Sequence, residues 1–166
     1  MKTLIAYSTL TGNTKKVACE IKKAVDNSEL LDISDVKKLD YDLIIVGTWI
    51  DKGTADKKAS DFIKTLNNKK VAFFYTYGAR PESDHVKKCG ETIRSLFFEN
   101  NNEIIGEFSC QGAIDPKLIE KMRSMFPKGD PHGANPENEA RWKAASTHPD
   151  EKDLENAYNY FKLLLK

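Results

Sequence analysis

Short apolar runs alternate with amphipathic stretches along the whole chain. The runs fall at residues 3–7, 30–33, 43–46, 71–75 and 104–108. Three of them are nearly continuous in apolar residues, as expected of parallel strands covered on both faces. Between the runs, apolar residues recur at the three-and-four spacing of one helix face. Val17, Ala18, Ile21, Ala24 and Val25 form one such stripe, and Ala59, Phe62, Ile63 and Leu66 form a second. Val86, Cys89, Ile93, Leu96 and Phe97 form a third, and Leu154, Ala157, Tyr158, Phe161 and Leu165 close the chain. The last helix is expected to start after Thr147, with Pro149 in its first turn and Asp150 and Glu151 suiting its dipole. A further helix is expected to open at Asp115-Pro116.

Five strands alternating with helices imply βαβ crossovers and a doubly wound α/β domain with a parallel sheet. No internal repeat is present. The rhythm breaks between residues 127 and 149, where Pro127, Gly129, Pro131, Gly133, Pro136 and Pro149 punctuate the chain. A short helix near residues 137–145 fits inside this stretch, which reads equally as a surface excursion or as a functional flap.

Composition narrows the function classes. A chain of 166 residues suits a single domain spanning 1–166, large enough to fold without a metal or disulfide staple. A formal net charge of +1 gives no strong pull towards nucleic acid or a membrane surface, and neither is expected as a partner. Cys19, Cys89 and Cys110 are odd in number, far apart and form no Cys-x-x-Cys pair, so they read as reduced thiols. The first apolar run stops at Ser8, too short for a secretory signal, and no stretch has the length of a membrane span. A soluble, cytoplasmic, monomeric protein is expected. His85, His132 and His148 lack ligand spacing and a cysteine partner, so no metal is expected.

The densest chemical signal follows the first strand. Ser8-Thr9-Leu10-Thr11-Gly12-Asn13-Thr14 leads straight into the first helix. In open α/β sheets, ligands sit at the carboxyl ends of the strands, at the topological switch point. Backbone N–H groups at a helix start, aided by hydroxyls, hold an anion without Lys or Arg. The same cluster also suits a helix N-cap, for which Ser, Thr and Asn are preferred. Other phosphate loops do not fit. A P-loop needs a second Gly followed by Lys-Ser/Thr, and a dinucleotide loop needs three glycines. A thiolate phosphatase needs a Cys inside the loop and an Arg closing it. A monophosphate held by neutral donors remains.

Thr9-Leu10-Thr11-Gly12-Asn13-Thr14 resembles the Thr-x-Thr-Gly-x-Thr phosphate loop of the flavodoxin family. The order of strands and helices resembles that family over nearly the whole chain. The resemblance implies a flavodoxin-like three-layer sandwich: a five-stranded parallel sheet of order 2-1-3-4-5, helices on both faces, and FMN at the carboxyl edge. It further implies that two loops clamp the flavin ring: Thr48, Trp49, Ile50, Asp51, Lys52 and Gly53 after the third strand, and Thr76, Tyr77, Gly78, Ala79 and Arg80 after the fourth. Trp49 and Tyr77 are the expected faces of the clamp, although each alone also reads as a core aromatic.

Gly53 is the expected position of a peptide whose carbonyl meets N5 of the reduced ring, because glycine flips at low steric cost. Flavodoxins with the glycine directly after the aromatic residue differ here, since residues 50–52 intervene. Gln111, in Cys110-Gln111-Gly112, is placed at the ring edge or against a partner, or else in a polar turn. Lys52 and Arg80 either raise the flavin potential as nearby cations or point into water.

The expected function is that of an FMN electron carrier serving redox partner proteins, a reductase donor and an acceptor enzyme, with no catalytic residue of its own. An FMN-dependent NAD(P)H-quinone-type oxidoreductase on the same fold is the alternative. A non-redox phosphate-binding module is a third reading. Cys110-Gln111-Gly112 together with His148-Pro149 also resembles a branch of flavodoxin-like proteins of gut-type anaerobes, some found beside bilin reductases.

Overall fold

The computed structural model describes residues 1–166. In chain order it contains β1 (Thr3–Tyr7), α1 (Asn13–Ala24), β2 (Ser28–Asp32), β3 (Leu43–Asp51), β4 (Thr54–Ala55) and α2 (Lys57–Ile63). These are followed by β5 (Lys70–Tyr77), α3 (Asp84–Phe98), β6 (Glu103–Gln111), α4 (Pro116–Met125), α5 (Pro136–Ala145) and α6 (Glu151–Leu164). Five strands pair in parallel in the order β2-β1-β3-β5-β6, which is the expected 2-1-3-4-5 sheet. The register sets Ala6 of β1 between Leu31 and Val46.

Alternate side chains of the central strands enter two cores, which makes the fold three layers deep. Leu4, Ile44, Val46 and Phe73 pack with Phe62 and Ile63 of α2 and with Ile93 and Phe97 of α3. On the other face, Ile5, Ile45 and Phe74 pack with Val17 and Ile21 of α1 and with Phe161 of α6. Both faces are covered, which explains the unbroken apolar runs. Each large side chain fully buried in this way contributes roughly 1.5–3 kcal/mol.

Three expectations are corrected. The third strand does not end at Val46: it continues through Gly47, Thr48, Trp49, Ile50 and Asp51, with Thr48 and Trp49 pairing with Tyr75 and Thr76 of β5. It then folds back so that Asp51 pairs with Thr54 of β4. Lys52 (φ 50°) and Gly53 (φ 84°) form the two-residue turn, and both take the positive φ that tight hairpins require. Thr76, Tyr77 and Gln111 likewise still belong to strands rather than loops.

The last helix starts at Glu151 with Asp150 as its N-cap, so Pro149 is not in its first turn. Asp150 accepts from the Asp153 backbone N–H while the Asp153 side chain accepts from the Asp150 N–H, and this capping box puts Pro149 outside the helix. Finally, Leu66 lies beyond the end of α2, yet it is fully buried. No helix is long and apolar enough to cross a membrane.

Candidate functional site

A cleft of about 440 Å³ opens at the carboxyl ends of β1, β3 and β5, within the size range of small-molecule sites. Thr9, Leu10, Thr11, Asn13 and Thr14 line it from the first loop. Trp49, Ile50, Lys52 and Gly53 line it from the β3–β4 hairpin, and Thr76, Tyr77, Gly78 and Ala79 from the end of β5. The three segments singled out in the sequence therefore meet in one place. Ser8, Gly12, Thr48, Asp51, Arg80 and Gln111 lie outside the lining.

The first loop does not cap its helix. Gly12 occupies the N-cap of α1 at φ 97° and no side chain bonds the first-turn N–H groups. The other five α-helices each start with an Asp, Ser or Asn side chain accepting from their first turn. The hydroxyls beside α1 are used otherwise. Thr9 Oγ1 accepts from the Gly12 N–H at 3.0 Å, which leaves its own proton to donate, and Thr14 Oγ1 lies 3.0 Å from Thr76 Oγ1. A helix start with unpaired donors, positive dipole and a glycine that lets a ligand approach closely has the chemistry to take an anion. The N-cap explanation of the Ser/Thr/Asn cluster thereby falls away.

Ser8 and Thr48 serve Asp56 instead. Ser8 Oγ and Thr48 Oγ1 each donate to the buried Asp56 carboxylate at 2.8 Å. The same carboxylate accepts from the Lys58 and Ala59 N–H groups at the start of α2. Asp56 thus holds the phosphate-type loop, β3 and α2 in one fixed relation. It went unnoticed in the sequence because nothing local marks a carboxylate whose partners are 8 and 48 positions away.

The two aromatic candidates differ. Trp49 is half-buried on the cleft wall. Tyr77 is only 9% exposed, its ring 6.1 Å from that of Tyr75 in the core facing α3. Burial pushes its phenol up to about 12. Arg80 points away from the cleft and pairs with Glu137 of α5 at 3.1 Å. Gln111 supports the site from behind: its side-chain amide donates to the Ala79 carbonyl at 2.9 Å, and the Gly112 N–H donates to the Tyr77 carbonyl at 2.8 Å. The loop after β5 is held by these two bonds. Cys110, next to Gln111, is buried, and desolvation pushes its thiol upwards.

A further wall was not read from the sequence. Ala113, Ile114 and Asp115 follow β6, Leu118 and Met122 come from α4, and Arg141 and Trp142 come from α5. The punctuated 127–149 stretch therefore reaches the cleft through α5. Its proline-rich spacing marked an unusual segment, but no local pattern gave its direction. His85, in the first turn of α3, also lines the cleft, with its ring 3.7 Å from Cys89 Sγ. His148, Asp150 and Asp153 gather within 4.8 Å of one another, where the two aspartates form the cap of α6.

Comparison with known proteins agrees with this geometry. The flavodoxin domain family matches residues 4–162. A flavodoxin-like domain-containing protein BilS from Clostridioides difficile (strain CD3) is 34% identical, covering 99% of this chain and 97% of that protein. Oxidised flavodoxin 2 from Bacillus cereus superposes with a TM-score of 0.62 at 19% identity, covering 99% of this chain and 97% of that one. A flavoprotein in complex with FMN from Lactobacillus acidophilus NCFM superposes with a TM-score of 0.50 at 22% identity, covering 72% of this chain and 97% of that one.

Proposed function

The chain belongs to the flavodoxin domain family, and on that footing we propose that it binds one FMN in the cleft and carries electrons between redox partner proteins, a reductase donor and an acceptor enzyme. The observation that carries the reading is the uncapped start of α1 behind Thr9, Thr11 and Thr14. It suits a monophosphate, because a dianion there is met by unpaired N–H groups and hydroxyls without any Lys or Arg.

Trp49 offers a flat neutral surface to a flat ring and keeps water from it. The Lys52-Gly53 turn supplies backbone carbonyls at the same wall. FMN would supply one- and two-electron chemistry, and the protein's part is to hold and tune it. Leu10 and Leu118 are exposed at the rim and give an apolar edge for a partner. Three free cysteines support a cytoplasmic location.

A second reading, an FMN-dependent NAD(P)H oxidoreductase, is favoured by His85 and by the added α4–α5 wall, which give the cleft an acid–base group and room beside a ring. Two assays separate the readings. Quenching of FMN fluorescence on mixing with the flavin-free protein is expected in both. Sustained NAD(P)H oxidation with a quinone acceptor is expected only of the oxidoreductase.

A further inference from the structure

Of the four arginines in the chain, three pair with carboxylates: Arg80 with Glu137, Arg94 with Glu107 and Arg123 with Glu139. Arg141 has no carboxylate partner, and it alone of the four lines the cleft. Its Nη2 donates to Asn138 Oδ1 at 3.1 Å. Asn138 is itself fixed, since its amide nitrogen donates to the carbonyls of Pro131 at 2.9 Å and Gly133 at 2.8 Å. A neutral amide therefore orients the guanidinium and leaves its charge uncancelled.

Two donors remain unused on this wall. Arg141 Nε and Trp142 Nε1 are buried and have no hydrogen-bond partner, and Trp142 is only 2% exposed. Buried N–H groups are satisfied almost everywhere in native proteins, so two adjacent exceptions on one cleft wall call for an acceptor. The nearby anion does not serve: Asp115 also lines the cleft, but it makes no hydrogen bond with either unpaired donor.

We propose that Arg141 and Trp142 form an oxyanion subsite in the α5 wall of the cleft, which takes a carboxylate or phosphate oxygen of a bound ligand. The proposal rests on the FMN reading of the cleft, and it deepens that reading. The 127–149 segment then has a binding role: Pro131 and Gly133 set Asn138, and Asn138 sets Arg141. The start of α1 takes the FMN phosphate in that reading, so the oxyanion is the carboxylate of a second ligand seated beside the flavin, and the FMN phosphate is the competing source that the test distinguishes.

The test compares wild type with R141Q, R141K and W142F, using FMN, riboflavin and citrate as probes and circular dichroism to confirm folding. If the oxygen belongs to FMN, R141Q and W142F each weaken FMN binding by about tenfold or more, with R141K intermediate. Riboflavin, which lacks the phosphate, keeps its affinity in that case, whereas an equal loss of riboflavin affinity means that no oxyanion is held and overturns the subsite. If the oxygen belongs to a second ligand, FMN affinity is unchanged in all variants. Citrate then shifts the tryptophan emission of wild type but not that of R141Q. Should W142F not fold, R141Q and R141K decide alone. FMN and citrate responses that ignore every substitution overturn the subsite while leaving FMN binding intact. Failure of wild type to bind FMN sinks the FMN reading, and the citrate response then decides the subsite by itself.

Discussion

Ser8 Oγ donates to Asp56 Oδ1 at 2.8 Å across 48 positions of sequence. The bond joins the end of β1 to the start of α2, and Thr48 brings β3 to the same carboxylate. The loop before α1 and the hairpin that carries Trp49 are therefore tied together by one buried side chain, Asp56. Replacing Asp56 with Ala leaves two buried hydroxyls without their acceptor and α2 without its cap. A loss of about 2–4 kcal/mol is expected from urea unfolding, together with weaker FMN binding. Asp56→Asn, which keeps one acceptor oxygen, is expected to fall between wild type and Ala.

Two glycines are expected to fail for different reasons. At Gly12 an added Cβ meets nothing within 4 Å, but the backbone sits at φ 97°, so Gly12→Ala costs about 1–2 kcal/mol through strain. At Gly47 an added Cβ would lie 2.2 Å from Phe74 Cζ, so Gly47→Ala costs about 1–3 kcal/mol through crowding. Combining Gly47→Ala with Phe74→Leu is expected to cost less than the two changes summed, whereas Gly12→Ala with Phe74→Leu adds. Thermal melts of the singles and doubles check both.

The strand and helix order was readable because the central runs are apolar on both faces and the helical stripes are regular. Local cues also found the segments that meet in the cleft. What escaped was directional. Trp49 and Tyr77 look alike in sequence as aromatics at strand ends, and both line the cleft, yet Tyr77 is buried beside Tyr75 while Trp49 is only half-buried. Ser8 and Thr48 looked like ligand donors, and only the fold shows that both face Asp56. Arg80 read either as a cation beside a ring or as a side chain in water, and neither reading contained its exposed pairing with Glu137, 57 positions on. Partners at such separations leave no periodic trace.

Tyr77 gives the protein an alkaline signature. Its phenol titrates near 10 in an unfolded chain and is pushed up to about 12 by burial in the fold. Between those values the unfolded state loses a proton that the folded state keeps. The contribution of Tyr77 to stability is therefore full below pH 10, falls as pH rises, and levels off above about 12. Tyr77→Phe is expected to flatten this fall, read from urea midpoints across the range. Tyr75, Cys89 and Cys110, also raised by burial, contribute to the slope that remains.

Arg80 is expected to matter little to a bound flavin. Its charge is met by Glu137, both side chains are exposed, and neither lines the cleft. Arg80→Ala is expected to leave FMN affinity within about twofold of wild type and to change stability by under about 0.5 kcal/mol. Fluorescence titration and thermal melts provide the check. Gln111→Ala is expected to loosen the Ala79 loop and weaken FMN binding, although Gln111 itself lies outside the cleft.

The central claim is that this chain binds FMN and passes electrons one at a time. Its most direct test is the visible spectrum of the FMN-loaded protein during stepwise reduction with dithionite. The account predicts flavin bands that move with the protein through gel filtration and a transient long-wavelength band at half reduction. A chain that leaves added FMN free in solution, with its spectrum unchanged, would contradict it.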